Sequence, residues 1–174
     1  MITPEYVRLM AAYTRWQNGS IYAAADTLTD GARRQHRGAF FGSIHATLNH
    51  LLWGDQLWMH RLAGTPAPRS PDIPGSVRQF EDWEALKGER RDTDEALVAW
   101  SRRVSVADLD GTFSWFSGAI QAEVFRPRQA LVIQLFNHGT HHRGQVHAML
   151  TAAGARPEDT DVPFMNSPDY PWPA

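Results

Sequence analysis

The sequence predicts an all-α fold, a four-helix bundle, from three observations. Apolar residues return every three or four positions through four long stretches, the period of one face of an α-helix. Polar or Pro/Gly-rich segments separate those stretches. The 174 residues, 43% hydrophobic and 21% charged, suit one core, and no repeat, low-complexity tract or second domain interrupts them. The whole chain, 1–174, is therefore read as a single domain.

Thr3, Pro4 and Glu5 start the first helix: a capping hydroxyl, a proline in the first turn and an acid at the positive helix end. Tyr6, Met10, Tyr13, Gln17, Ile21, Ala24 and Leu28 carry its stripe to about Thr29, with Trp16 and Asn18 beside it. Asp30 to Gly38 is polar and reads as a connection with at most a turn of helix. The second helix is expected from about Phe40 to Leu62, with His50 among apolar neighbours on the side where a partner helix would lie.

Ala63 to Gly75 holds four prolines and two glycines, so it reads as a long surface connection. Ser76 is placed as the cap of a third helix over Val77 to Val104, whose charged centre, Glu89 to Asp94, predicts wide exposure. Leu109 to Phe125 reads as a short hairpin or irregular segment. The fourth helix runs from near Pro127 to Ala153 and stops at Gly154. The tail, Arg156 to Ala174, carries five prolines with Phe164, Tyr170 and Trp172, and is expected to drape over the bundle or over a second subunit.

The fourth helix holds four of the chain's eight histidines. Leu131, Leu135, His138, His142, Gln145 and Met149 form one stripe, so two imidazoles stand where a core would place leucine. Buried imidazoles need partners for their ring nitrogens. A metal ion supplies one, because His at i and i+4 presents two ligands on one helix face. His50 offers a third, from another core-facing helix. Three neutral imidazoles leave a zinc-like ion with an open position, the catalytic rather than the structural arrangement. Imidazole suits zinc, nickel, copper or iron.

The plain alternative is a helical bundle with incidental histidines. A zincin peptidase is excluded, because its general-base glutamate would fall at position 139, which is glycine. His141, about 60° around the helix from His138, reaches at most the mouth of a pocket. Trp16 and Trp53 read as core and pocket wall, and Asp55 as a solvated or helix-pairing acid. No residue presents itself as a general base.

Composition narrows the classes further. The chain has no cysteine, so disulfides, thiolate nucleophiles and Cys-ligated zinc are excluded. A net charge of -2 with scattered arginines argues against a nucleic-acid partner. No apolar run approaches membrane length, and the first residues do not resemble a signal peptide, so a cytoplasmic protein is expected.

Three segments together resemble the DinB/YfiT-like superfamily of bacterial metal-binding four-helix bundles, unrelated to the DNA polymerase sharing the DinB name. They are Tyr13-Thr14-Arg15-Trp16-Gln17-Asn18, then Thr47-Leu48-Asn49-His50-Leu51-Leu52-Trp53-Gly54-Asp55 with Trp58, and Asn137-His138-Gly139-Thr140-His141-His142-Arg143-Gly144-Gln145. The resemblance places the metal ligands on His50, His138 and His142. It implies zinc or nickel, a homodimer, and a small-molecule substrate. Some relatives transfer low-molecular-weight thiols such as bacillithiol, mycothiol or glutathione, and others are presumed hydrolases. The expectation is a metal-dependent enzyme activating a thiol or water. The competing one is a non-catalytic, stress-associated homodimer whose ion is closed off by a fourth ligand, His141 or a tail carboxylate.

Overall fold

The computed structural model describes residues 2–118 and 120–172, and among them are seven α-helices, one two-stranded sheet and a short 3-10 helix, Val162–Phe164. The Thr3 side chain accepts from the Tyr6 backbone N–H and starts α1, Pro4–Asp26, which stops three residues short of the expected Thr29. α2, Asp30–Arg34, is the single turn of the connection. α3, Ile44–Ala63, is capped by Ser43 rather than starting near Phe40. Gly38 and Gly42 adopt φ of 79° and 81°, and Ala39 bridges to Gly42, so Phe40 and Phe41 sit in a tight turn that cannot be helix.

The largest departure lies after α3. Ser76 does not cap a long helix; it ends a four-residue one, α4, Ile73–Ser76, which Asp72 caps. The chain then breaks, and Asp82 caps α5, Trp83–Ser101. Pro74 fits at the start of α4, where no intrahelical N–H is required, so the proline-rich stretch accommodates a turn of helix. Nor is this stretch wholly superficial, since Ser70 and Ser76 are buried. α6, Val106–Leu109, precedes the antiparallel hairpin of β1, Thr112–Ser117, and β2, Ala122–Pro127. α7, Arg128–Ala152, ends before Gly154 at φ 84°.

α3 packs on α7 and α5, and α1 packs on α5 and α7, so the four long helices close a ring. Two apolar clusters fill its ends. One holds Ile21, Leu48, Leu52, Leu86, Val146 and Leu150. The other holds Val7, Ala11, Met59, Leu97, Val132 and Phe136. Fully burying a leucine-sized side chain contributes about 1.5–3 kcal/mol. Two such clusters can therefore carry the polar layer between them, where His50, Asp55, Arg90, Asp94, His142 and Arg143 are all buried.

The charged centre of α5 is solvated on one side, at Arg91 and Asp92, and buried on the other, at Arg90 and Asp94. Arg90 lies between Asp55 of α3, at 2.7 Å, and Asp94 one turn along its own helix, at 2.8 Å. Asn18 of α1 donates to the same Asp94 carboxylate at 2.9 Å. The tail runs along α1: the Tyr13 hydroxyl donates to the Thr160 carbonyl, the Gln17 amide to the Asp159 carbonyl, and Met165 is buried. The expectation for Pro173 and Ala174 lies outside the described residues. No helix among the described residues is long and apolar enough to cross a membrane.

Candidate metal centre

The stripe read from the sequence faces inward: Leu131, Leu135, His142 and Met149 are buried, with His138 and Gln145 partly so. α3 packs against this face and carries His50 to it. One ligand atom from each of His50, His138 and His142 lies within 4.8 Å of the others, a grouping that could hold a metal ion. The Nε2 atoms of His50 and His138 are 3.3 Å apart. Two nitrogens bound tetrahedrally to one zinc at 2.0–2.1 Å would be separated by about 3.3–3.4 Å.

Hydrogen bonds set which nitrogen carries the proton in two of the three rings, those of His50 and His142. The Ser76 hydroxyl donates its one proton to the Ile73 carbonyl at 2.6 Å. At 2.7 Å from His50 Nδ1 it can therefore only accept, so Nδ1–H donates and the Nε2 lone pair is left facing His138. His142 Nδ1 lies 2.8 Å from the Gln145 side-chain oxygen and donates to it, which frees its Nε2 likewise. The Gln145 amide nitrogen in turn donates to His141 Nε2 at 3.1 Å. His138 Nδ1 is buried with no partner.

The His138 ring lies against Gly54 of α3. A Cβ there would stand 2.9 Å from Nδ1, so only glycine leaves the ring its place. Burial is the first cause that depresses all three imidazoles: His50 falls to about 3 and His138 to about 4, with the neighbouring imidazoles adding to the fall, and His142 is lowered although its bond to Gln145 opposes the shift. The donor set is thus three neutral imidazoles at neutral pH, the form that ligates metals. Lone pairs preset toward one point and set at ligand spacing fit a bound divalent ion.

The sequence reading also named Trp53, His141 and Trp16. Trp53 stacks on His50 with centroids 5.6 Å apart and donates to the Ser70 carbonyl, so it walls the histidines. The His141 ring lies 4.9 Å from that of His142 but is exposed and holds Gln145. Trp16 stands edge-on to Tyr13 and packs with Met165 of the tail, away from the histidine cluster between α3 and α7. Asp55 is not solvated; it pairs α3 with α5 through Arg90.

Four contributors escaped the sequence reading. Ser76, expected as a helix cap, accepts from His50, and Gln145, expected only as part of the stripe, orients His142. Gly54 and Phe41 were given no part. The Phe41 ring covers His50 at 4.0 Å and His142 at 5.5 Å. The Gly-x-x-x-Gly spacing of 38 and 42 around two aromatics was the available signal for that turn.

Fold and site together define a class: a helical protein with three neutral imidazoles gathered inside a ring of helices. The DinB family model matches residues 1–172, and the chain belongs to that family. No curated protein and no solved structure matches the chain.

Proposed function

We propose that this chain is a divalent-metal protein, built as a four-helix bundle, whose ion is held by His50, His138 and His142 and activates a small thiol or water. The observation that carries the reading is the preset of the rings. Ser76 and Gln145 fix the outer nitrogens of His50 and His142 as donors, so both inner lone pairs are aimed inward. Such outer partners also raise ligand basicity and hold ring orientation. Zinc or nickel suits an all-imidazole donor set.

A bound ion with an open position would lower the pKa of a coordinated thiol or water and supply a nucleophile at neutral pH. The protein's own part is to orient the three rings and to keep them unprotonated by burial. Phe41 and Trp53 flank His50 and limit water around it. A chain without cysteine draws its thiol from outside, so a low-molecular-weight thiol is the co-substrate of the transfer version, and water that of the hydrolytic version. We place the working form as a cytoplasmic homodimer.

One observation favours a second reading, metal binding without turnover. The group of potential ligands contains no carboxylate, and the nearby Asp55 is bound to Arg90, so among the described residues no general base adjoins the histidines. Metal analysis of purified wild type beside His142→Ala tests the site: near-stoichiometric metal is expected in the first and loss in the second, and equal metal in both refutes the assignment. A screen of zinc- or nickel-loaded protein with bacillithiol, mycothiol and glutathione against electrophiles, and with hydrolase substrates, then separates the readings. Activity lost in His142→Ala supports the enzyme, and silence across both panels supports the binding protein.

A further inference from the structure

The three histidines act on a small molecule only if one can reach them, and the fold nearly seals two of them: His50 is 4% exposed and His142 7%. Most of the walls are fixed. Trp53 stacks on His50 and is tied to the Ser70 carbonyl by its indole N–H at 2.8 Å. Ser76 and Gln145 hold the outer nitrogens, and α3 backs the His138 ring at Gly54. One wall is of a different kind. The Phe41 ring lies against both buried imidazoles, its centroid 4.0 Å from that of His50 and 5.5 Å from that of His142. Phe41 is itself partly exposed, and a phenyl ring makes no hydrogen bond, so packing alone holds it.

Phe41 rides on the turn between α2 and α3 rather than on a helix. The turn is specified closely: Gly42 has φ 81°, and a Cβ there would stand 3.0 Å from the His36 ring. The Arg37 N–H donates to the Gly42 carbonyl at 2.7 Å, and the Gly42 N–H to the Ala39 carbonyl at 2.8 Å. These bonds fix the backbone and leave the side chain to its rotamers, so the ring can swing off His50 about χ1 with both bonds intact. The surroundings are apolar. Phe40, 82% exposed, meets Phe41 edge-on at 4.8 Å. Ile73, 47% exposed, is linked to His50 through Ser76, whose hydroxyl donates to the Ile73 carbonyl.

We infer that Phe41 is the specificity-determining residue of the histidine site. A molecule reaches His50 and His142 by displacing its ring. One that leads with an apolar group replaces the contacts the ring gives up, against Phe40 and Trp53, whereas a charged one loses its hydration there without return. The substrate class is a small molecule with an aromatic or alkyl group beside its reacting atom. This selection rests on the three-histidine site proposed above, and two separate measurements tell the failure of one from the failure of the other.

The first uses metal-free full chain treated with diethyl pyrocarbonate at neutral pH, with modification of each histidine followed by peptide mass spectrometry. Reaction at His50 and His142 should rise several-fold in Phe41→Ala and by less in Phe41→Leu. Exposed His141, and buried His45, whose ring packs near Trp83, should keep their rates. Unchanged rates at His50 and His142 overturn the inference. So does a rise that His45 shares in both variants, since it reports a loosened fold. The second measurement titrates zinc-loaded protein, its metal counted beforehand, with phenylmethanethiol and with 2-sulfanylethanesulfonate by calorimetry. Wild type should bind the phenyl thiol about tenfold more tightly, and Phe40→Ser, which touches no histidine ligand, should narrow that preference. Equal binding of the two thiols to metal-loaded wild type overturns the selection and leaves the metal site standing. Protein that retains no zinc defeats the metal site instead, and the modification rates alone then judge Phe41.

Discussion

Two polar groups lie inside the same ring of helices and are finished differently. Around Arg90 the chain supplies the partners itself: Asp55 from α3, Asp94 from α5 and, through Asp94, Asn18 from α1. Around His50, His138 and His142 it supplies partners only for the outer nitrogens, through Ser76 and Gln145, and leaves the inner lone pairs converging. Burial acts on both. It pushes the Asp94 carboxyl up to about 6 against the pull of Arg90 and Asn18, and drives His50 and His138 down to about 3 and about 4. The contrast separates a tie that holds helices together from a cluster built to receive something.

The sharpest way to break that contrast is to remove one member of the tie. Arg90→Met leaves Asp55 and Asp94 buried without their cation and should cost about 3–5 kcal/mol in denaturant unfolding. A smaller loss would mean the pair is already hydrated in the native state. Removing a member of the cluster should behave differently. His142→Ala should leave metal-free stability within about 1–2 kcal/mol of wild type, yet abolish the gain of about 2.7 kcal/mol expected for wild type at a hundredfold excess of free metal over its Kd. Thermal melts with and without added zinc measure both quantities.

Gly54→Ala probes where the two groups meet, since it crowds the His138 ring while leaving every ligand present. Overpacking of this kind should cost about 1–3 kcal/mol and lower metal affinity, which competition against a chromophoric chelator would report. Ser76→Ala is gentler. It removes the acceptor from His50 Nδ1–H and should weaken metal binding by about 10- to 100-fold; unchanged affinity would show that packing by Phe41 and Trp53 alone orients the ring.

Acidity gives the most diagnostic difference. In metal-free protein the folded pKa values of His50 and His138 lie below the unfolded value of about 6.5. The unfolded chain therefore binds more protons, and stability falls as pH drops from about 6.5 toward 4. Asp94 acts in the opposite sense, because its raised pKa lets the folded state take up protons first. Comparing wild type with His50→Gln/His138→Gln cancels the Asp94 contribution. The variant should lose stability less steeply over that window, and parallel curves would mean the rings are already solvated.

Much of the site was legible because its two strongest signals are local. His138 and His142 share a stripe with Leu131, Leu135 and Met149, a relation fixed by helix period alone. His50 was legible as a polar residue on an otherwise apolar face. Arg90 and Asp94 misled, since a run of charges at the centre of α5 has the same composition whether it meets water or two aspartates. Ser76 misled for a related reason: a serine before an apolar stretch resembles a cap, and its true partner lies 26 positions back.

The sequence by itself determined the helices, their inward faces and the presence of imidazoles on two of them, because period and capping act within a few residues. Only the tertiary structure decided which atoms meet. The break before Trp83 carried Ser76 to His50, the missing side chain at Gly54 admitted the His138 ring, and Arg90 found Asp55 across 35 positions. Those pairings come from how helix faces close on one another in space, a relation that no local spacing encodes.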